Sequence, residues 1–252
     1  MLCTMEDHDR GLAFDLQTLS RRKMLGLLAG VALVGLSTRL HPGPPGPHRV
    51  AKPGAIPEET AGPFPADGSN RFNVLGESGL LRSDLRTSFG DLKGTAPGQP
   101  VEVELQLVDR TSGKPLPGHV LYLWHCDRDG KYSLYEVKDQ NYLRGVQVAD
   151  AQGMVRFQTV FPGCYDGRWP HMHFEVFRNL AAATRSENAL STSQLALPEE
   201  VCRRIYALPD YASNRRNFDR QKLSDDMIFA DSIHHQLARW HEDKRISLTV
   251  PV

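Results

Sequence analysis

The stretch Val101–Leu107, which reads VEVELQL, decides the fold. Apolar and polar residues alternate strictly along it, which predicts a β-strand with one face against a core and the other in solvent. Similar short apolar stretches, separated by Gly, Pro and Asp turns, follow at Val120–Trp124, Met154–Val160, His171–Phe177 and Ile246–Val250. Several short strands divided in this way predict an all-β protein, a β-sandwich of mainly antiparallel strands.

The pattern changes between Ala181 and Lys244, where two stretches have apolar residues three and four positions apart. These are Pro198–Tyr206, which begins with acidic residues, and Ser232–Trp240. Both patterns predict short helices. We expect these helices to lie at the periphery of the sandwich.

The N-terminal part carries features of an export signal. Ser20–Lys23 reads SRRK and precedes an apolar stretch, Met24–Leu36, as in a twin-arginine signal. The apolar stretch is shorter than the about 20 residues that a membrane-spanning helix needs, so we expect no stable membrane span. We therefore predict an export signal at 1–40 and a periplasmic or extracellular protein.

A stretch rich in Pro and Gly follows the signal and predicts a linker at 41–57. The remaining residues, 58–252, are enough for one domain with a substantial core. Lys and Arg number 30, as do Asp and Glu, so the net charge is zero and no strongly basic face forms. Nucleic acid is therefore not expected as a partner, whereas assembly into a homo-oligomer stays open.

A pair of histidines marks the most informative site. His171 and His173 are two residues apart, so on a strand both side chains point to one face, and Met172 points to the other. Tyr165 and Arg168 lie just upstream of this pair. The composition is that of a metal site, although two strand histidines can also line a polar surface.

A longer series of residues in fixed order extends the pattern over the middle of the chain: Trp124, Gly130–Tyr132, Arg144–Gly145, Asp150, Gly153, Pro162–Tyr165, Arg168 and His171–His173. With this series the chain resembles the intradiol ring-cleavage dioxygenases. These are non-haem Fe(III) enzymes that open catechols between the two hydroxyls. The resemblance is good from Glu59 to Phe177 and looser in the C-terminal segment.

The resemblance implies that Tyr132, Tyr165, His171 and His173 are the four protein ligands of Fe(III). A ferric ion is hard, so phenolate oxygens suit it better than thiolates, and the metal must displace the phenol proton. It also implies that Tyr165 is both ligand and base, and that Arg168 lies near the substrate ring. The implied reaction joins a small catechol-type substrate with O2 to give a muconate-type diacid. The alternative for Arg168 is a surface salt bridge.

Two rival interpretations remain open on the sequence. The first is an exported binding module, a β-sandwich with a metal ion. The second keeps the enzyme fold but lacks the activity or uses another metal, such as Zn²⁺ or Cu²⁺. Bound Fe(III)-tyrosinate would colour the protein and thereby separate iron from zinc.

The remaining histidines and cysteines lie outside this series. His125 neighbours Trp124 on a strand and therefore points away from the site. The pair His234 and His235 cannot converge on one ion from adjacent helical positions. Cys126 and Cys164 are the disulfide pairing to test, and packed free thiols are the equal alternative.

Overall fold

The computed structural model describes residues 54–252, and the predicted signal and most of the predicted linker lie outside them. In this part of the chain eight strands form: β1 (Pro100–Val108), β2 (Val120–Trp124), β3 (Arg144–Val148), β4 (Met154–Val160), β5 (His171–Phe177), β6 (Ser191–Ala196), β7 (Arg239–His241) and β8 (Arg245–Pro251). Three short α-helices accompany them, α1 (Glu199–Tyr206), α2 (Ala212–Phe218) and α3 (Ile233–Gln236), together with three 3-10 turns. The all-β prediction is confirmed.

The strands form two four-stranded sheets. The first has the order β4-β1-β8-β7 and the second has the order β3-β2-β5-β6. All strand pairs are antiparallel except β1 with β8, which run parallel with Val103 opposite Ile246. The description as a sandwich of mainly antiparallel strands therefore holds.

The main core lies between the sheets and follows the alternation read from the sequence. Val103 and Leu105 of β1 point inward and are fully buried, as are Leu123 of β2 and Phe174 of β5. The polar residues between them on β1, such as Glu104, lie at the partly exposed face. Burial of such apolar side chains is the main favourable term for the fold.

The second sheet is buried on both faces. Every residue of β2 and of β5 is buried, so these strands show no polar, solvent-facing side. A second apolar cluster covers their outer face and joins Tyr122 and Trp124 to Val74, Leu80 and Phe89 from the preceding loops. His171 and His173, which share the outer face of β5, therefore lie inside the protein.

The predicted helices are confirmed only in part. The stretch Pro198–Tyr206 contains α1, as expected. The stretch Ser232–Trp240 contains one helical turn, α3, and then changes into the edge strand β7, which pairs with β8. The helical prediction was wrong for residues 237–240, because Leu237 is already extended and bridges Ala196, and Arg239–His241 pair with β8.

Two further strands were not predicted. These are β3, which starts with the buried Arg144, and β6, whose sequence STSQLA is largely polar. No helix within residues 54–252 is long and apolar enough to cross a membrane.

We expect Phe174→Ala to lower the free energy of unfolding by about 3–5 kcal/mol, because it leaves a cavity in the core between the sheets. Phe174 is fully buried there. The exposed Thr249 of β8 supplies the control, and Thr249→Ala should change the free energy by less than about 0.5 kcal/mol. Urea denaturation measures both values, and equal effects would contradict the assignment of this core.

Candidate metal centre

Four side chains converge at the outer face of β5. His171 and His173 come from the strand itself, Tyr132 from the loop after β2, and Tyr165 from the loop between β4 and β5. Tyr132 Oη lies 3.2 Å from His173 Nε2, and Tyr165 Oη lies 3.0 Å from His171 Nε2. The two Nε2 atoms are 3.1 Å apart. Two phenol oxygens and two imidazole nitrogens thus form one continuous group.

The spacing of these atoms fits a bound cation. Adjacent ligands around a first-row metal ion with bonds of about 2.0–2.1 Å are separated by about 3 Å, as they are here. His171 Nδ1 bonds the carbonyl oxygen of Trp169, and an Nδ1–H donor leaves the lone pair on Nε2. His173 Nδ1 is buried and has no hydrogen-bond partner among the described residues.

The donor set is chemically distinct from common carboxylate or thiolate sites. Within residues 54–252, no group of three or more His, Cys, Asp and Glu side chains is placed to hold a metal ion. Half of the donors in the present group are tyrosines. Oxygen donors that become phenolates favour a hard, highly charged cation over a soft one.

Burial controls the protonation of these groups. It holds the pKa of His171 well below its usual value, and the positive charge of Arg168 adds to this effect. The pKa of His173 is lowered in the same direction, by burial first and then by His171. Both imidazoles are therefore neutral at pH 7 and have lone pairs for a metal. Burial raises the pKa of Tyr132 well above its usual value, so this phenol keeps its proton until a cation replaces it.

The loop that carries Tyr132 is a tight turn. Asp127 Oδ1 accepts hydrogen bonds from the backbone N–H groups of Asp129 and Lys131, each 2.9 Å long. Gly130 has a φ of +78°, a conformation that costs glycine little. This turn reverses the chain directly before Tyr132.

The two tyrosine loops are packed against each other and fastened by α2. A Cβ atom at Gly163 would lie 2.6 Å from the backbone of Arg128 and of Gly130, so only glycine permits this approach. The buried Asn214 accepts a 2.7 Å bond from the N–H of Cys164 and donates a 2.8 Å bond to the carbonyl of Arg128. One side chain thus sets the relative position of both loops.

The planes of the imidazoles are fixed by ring packing. Trp124 of β2 stacks on His173 with a centroid distance of 5.1 Å and an interplanar angle of 9°. Tyr122 also stacks on Trp124, with a centroid distance of 4.9 Å. These contacts hold the ring of His173 in the orientation that brings Nε2 to the other donors.

Arg168 lies inside the protein, which excludes the surface salt bridge considered for it. Its side chain is 1% exposed, and its Nε donates a 3.0 Å bond to Oδ2 of the equally buried Asp226. Its NH2 nitrogen donates a 2.7 Å bond to Oε1 of Gln194. The positive charge of Arg168 also lowers the pKa of His171 and of His173, so a held guanidinium lies close to the four donors.

Sequence reasoning did not find Gln194 or Asp226. Gln194 lies on β6 directly opposite His173, and recognition of the polar strand β6 would have placed it at the site. Asp226 lies in a loop 58 residues from Arg168 in the chain, and no local pattern marks it.

The other histidines and the cysteines lie apart from the four donors. His125 bonds Thr159 Oγ1 at 2.7 Å on the other side of β2, as predicted from its position. His234 and His235 are exposed at α3. Cys126 and Cys164 are buried free thiols, so the structure has the packed thiols and not the disulfide.

The chain folds as a β-sandwich with two tyrosine and two histidine side chains grouped at the outer face of one sheet. Both its sequence and its fold are similar to those of known proteins. Residues 79–183 match the family Dioxygenase_C, described as Dioxygenase. The chain is 34% identical over 125 residues to hydroxyquinol 1,2-dioxygenase from Nocardioides simplex, covering 50% of this chain and 36% of that protein. It is 34% identical over 105 residues to hydroxyquinol 1,2-dioxygenase from Corynebacterium glutamicum, covering 34% of this chain and 35% of that one. The chain therefore matches well under half the length of these curated relatives.

Solved structures agree in fold. An intradiol ring-cleavage dioxygenase from Tetranychus urticae superposes with a TM-score of 0.57 at 25% identity, covering 69% of this chain and 87% of that chain. The dioxygenase domain of a fusion protein with a carbohydrate-binding protein, from Streptomyces sp. SirexAA-E, gives a TM-score of 0.51 at 21% identity. It covers 79% of this chain and 97% of that domain, and shows likeness of fold alone. The sandwich is of the kind found in intradiol dioxygenases.

We expect Asn214→Ala to lower the free energy of unfolding by about 1–3 kcal/mol, because it leaves buried backbone groups without partners. The N–H of Cys164 should exchange with solvent faster than in the unmodified protein. Hydrogen exchange followed by NMR or mass spectrometry measures this. Arg216→Ala, at an exposed position of the same helix, is the control. If the Cys164 amide stays equally protected in Asn214→Ala, Asn214 does not fasten the loops.

Proposed function

We propose that this protein is a non-haem Fe(III) intradiol dioxygenase, which opens a catechol-type ring between its two hydroxyls with O2 and yields a muconate-type diacid. One observation carries the proposal: two tyrosine oxygens and two histidine nitrogens converge at contacts of 3.0–3.2 Å in a sandwich of the intradiol type. The family match over residues 79–183 and the relatives named above support it.

The four donors would hold the iron, with Tyr132 and Tyr165 as phenolates and His171 and His173 as neutral imidazoles. When bound, Fe(III) would supply a Lewis acid that activates a catechol-type substrate for reaction with O2. Burial and neighbouring charges have already set the two imidazoles in the neutral form that binding requires. Loading the metal therefore needs proton release only from the tyrosines.

Tyr165 is assigned the role of proton acceptor. Tyr132, His171 and His173 are about 2% exposed, whereas Tyr165 is only partly buried and lies at the accessible side of the group. Its Oη can take the proton of a catechol hydroxyl as the substrate enters. The tyrosine thereby serves as ligand and as base.

Arg168 is assigned an electrostatic role. Its guanidinium is held by Asp226 and Gln194 and cannot turn away to solvent. A fixed cation in a buried site stabilises negative charge that develops on a substrate more than a mobile, hydrated one does. It would also favour binding of the substrate as an anion.

The visible spectrum of the iron-loaded protein tests the proposal. We expect a tyrosinate charge-transfer band that moves to longer wavelength when catechol is added without O2. Tyr165→Phe should weaken the band and reduce ring cleavage at least about 100-fold, because it removes a ligand and a base together. Tyr135→Phe is the matched control, since Tyr135 lies nearby and bonds Asn70 and Ala66 instead.

A colourless protein after loading with iron would overturn the assignment. The protein would then be a zinc- or copper-containing relative or a binding module with a structural ion. A coloured protein that binds catechol but forms no ring-opened product would mark an inactive relative.

We further propose that the chain is exported by the twin-arginine route, on the basis of Ser20–Lys23 and the apolar stretch after it. Replacing Arg21 and Arg22 together by Lys should leave the protein in the cytoplasm of a bacterial host that has this route. Cell fractionation measures the distribution, and Arg10→Lys is the control. Equal export of the double variant would contradict the proposal.

A further inference from the structure

A buried ion pair joins the candidate centre to the C-terminal segment. The side chains of Arg168 and Asp226 are 1% and 2% exposed, and Arg168 Nε lies 3.0 Å from Asp226 Oδ2. We propose that Asp226 is a positioning residue, which sets the place of the Arg168 guanidinium beside the four donors. The inference rests on the proposed function for its catalytic consequence, and on geometry alone for the contact itself.

The carboxylate of Asp226 binds the backbone as well as the guanidinium of Arg168. The same Oδ2 accepts a 2.7 Å bond from the backbone N–H of Trp169. Arg168 and Trp169 lie between Tyr165 and His171, which both belong to the group of donors. Asp226 thus fastens the middle of the segment whose two ends carry candidate ligands.

The loop around Asp226 holds the carboxylate in turn. Asp226 Oδ1 accepts a 2.9 Å bond from the N–H of Ile228, and both Ile228 and Phe229 are buried. The ring of Phe229 lies 5.9 Å from the Arg168 guanidinium carbon and 6.3 Å from the ring of His171. The loop therefore contacts the arginine and a histidine donor at once.

The other side of the guanidinium is fixed independently. Gln194 accepts from Arg168 NH2 and donates a 2.9 Å bond from Nε2 to the carbonyl of Thr60. The amide thus has a defined orientation, with its oxygen towards the arginine. Asp226 and Gln194 hold the planar guanidinium at two of its nitrogens, which restricts both its position and its tilt.

Asp226 could instead contribute to stability alone. Its replacement would then destabilise the protein, because any buried ion pair that loses one partner leaves the other charge unpaired. A positioning role requires in addition that the effect of Asp226 on the reaction passes through Arg168. A double-mutant cycle separates the two roles, because residues that act as one unit show strongly non-additive effects.

The experiment compares Asp226→Asn, Arg168→Gln and the double variant, with Asp225→Asn as the control. Asp225 lies next to Asp226, is exposed and bonds Ser224. In iron-loaded protein we expect Asp226→Asn to lower kcat about 10- to 100-fold, as displacement of a positioned group does, with a smaller change in anaerobic catechol affinity. In the Arg168→Gln background the same change should lower kcat less than about twofold.

The metal-free protein gives a second readout that does not depend on activity. The Nε–H signal of Arg168 and the N–H of Trp169 should be protected from exchange in the unmodified protein and in Asp225→Asn. Both should lose protection in Asp226→Asn. Asp226→Glu, which keeps the charge but moves it, should retain protection at Arg168 Nε and recover part of kcat.

Two results would overturn the inference. One is that Asp226→Asn lowers kcat by the same factor in the wild-type and in the Arg168→Gln background. Asp226 would then act on the reaction independently of Arg168. The other is unchanged exchange at Arg168 Nε. Should Asp226→Asn not fold, Asp226→Glu replaces it in the cycle and is compared with and without Arg168→Gln. A wild-type protein without ring-cleaving activity would sink the proposed function, while the exchange data would still decide the contact.

Discussion

The burial of β5 on both faces is the constraint on which the rest of the structure depends. Its even and odd residues serve different purposes, since Met172 and Phe174 fill the core between the sheets while His171 and His173 point to the opposite side. A strand allows this division because successive side chains alternate. The site is therefore attached to a strand that is buried on both faces, and a shift of its backbone would disturb the main core.

The two tyrosines, Tyr132 and Tyr165, are held beside this strand by contacts between loops. They lie in loops, which alone would leave them mobile, and two restraints remove that freedom. The close approach at Gly163 joins the loops to each other, and Asn214 binds both from α2. Together with Asp226, these contacts mean that the C-terminal third of the described chain supports the site without contributing any of the four donors.

The sequence allowed prediction of the parts of this arrangement that local pattern determines. Alternation along Val101–Leu107 and at His171–His173 predicts strands, their inner faces and the shared direction of the histidines. Alternation of apolar and polar residues does not reveal β6, because Ser, Thr and Gln are not typical of a buried strand. Their place in the sheet comes from pairing with β5. Asp226 was missed for a related reason. Its partners, Arg168 and Trp169, are distant in the chain, and a single aspartate in a loop has no signature. The position of Gln194 follows only once the register with β5 is known.

The position of β8 between β1 and β7 determines when the first sheet can form during synthesis. This strand, Arg245–Pro251, lies between β1 and β7, and the N–H of Ile56, near the start of the described chain, bonds the carbonyl of Pro251. During synthesis β1 emerges long before its parallel partner exists, and one of its edges stays open until the last strand arrives. The first sheet therefore cannot be completed before Arg245–Pro251 has been synthesised. A chain that stops before Arg245 would leave one edge of β1 open and should be more sensitive to proteolysis.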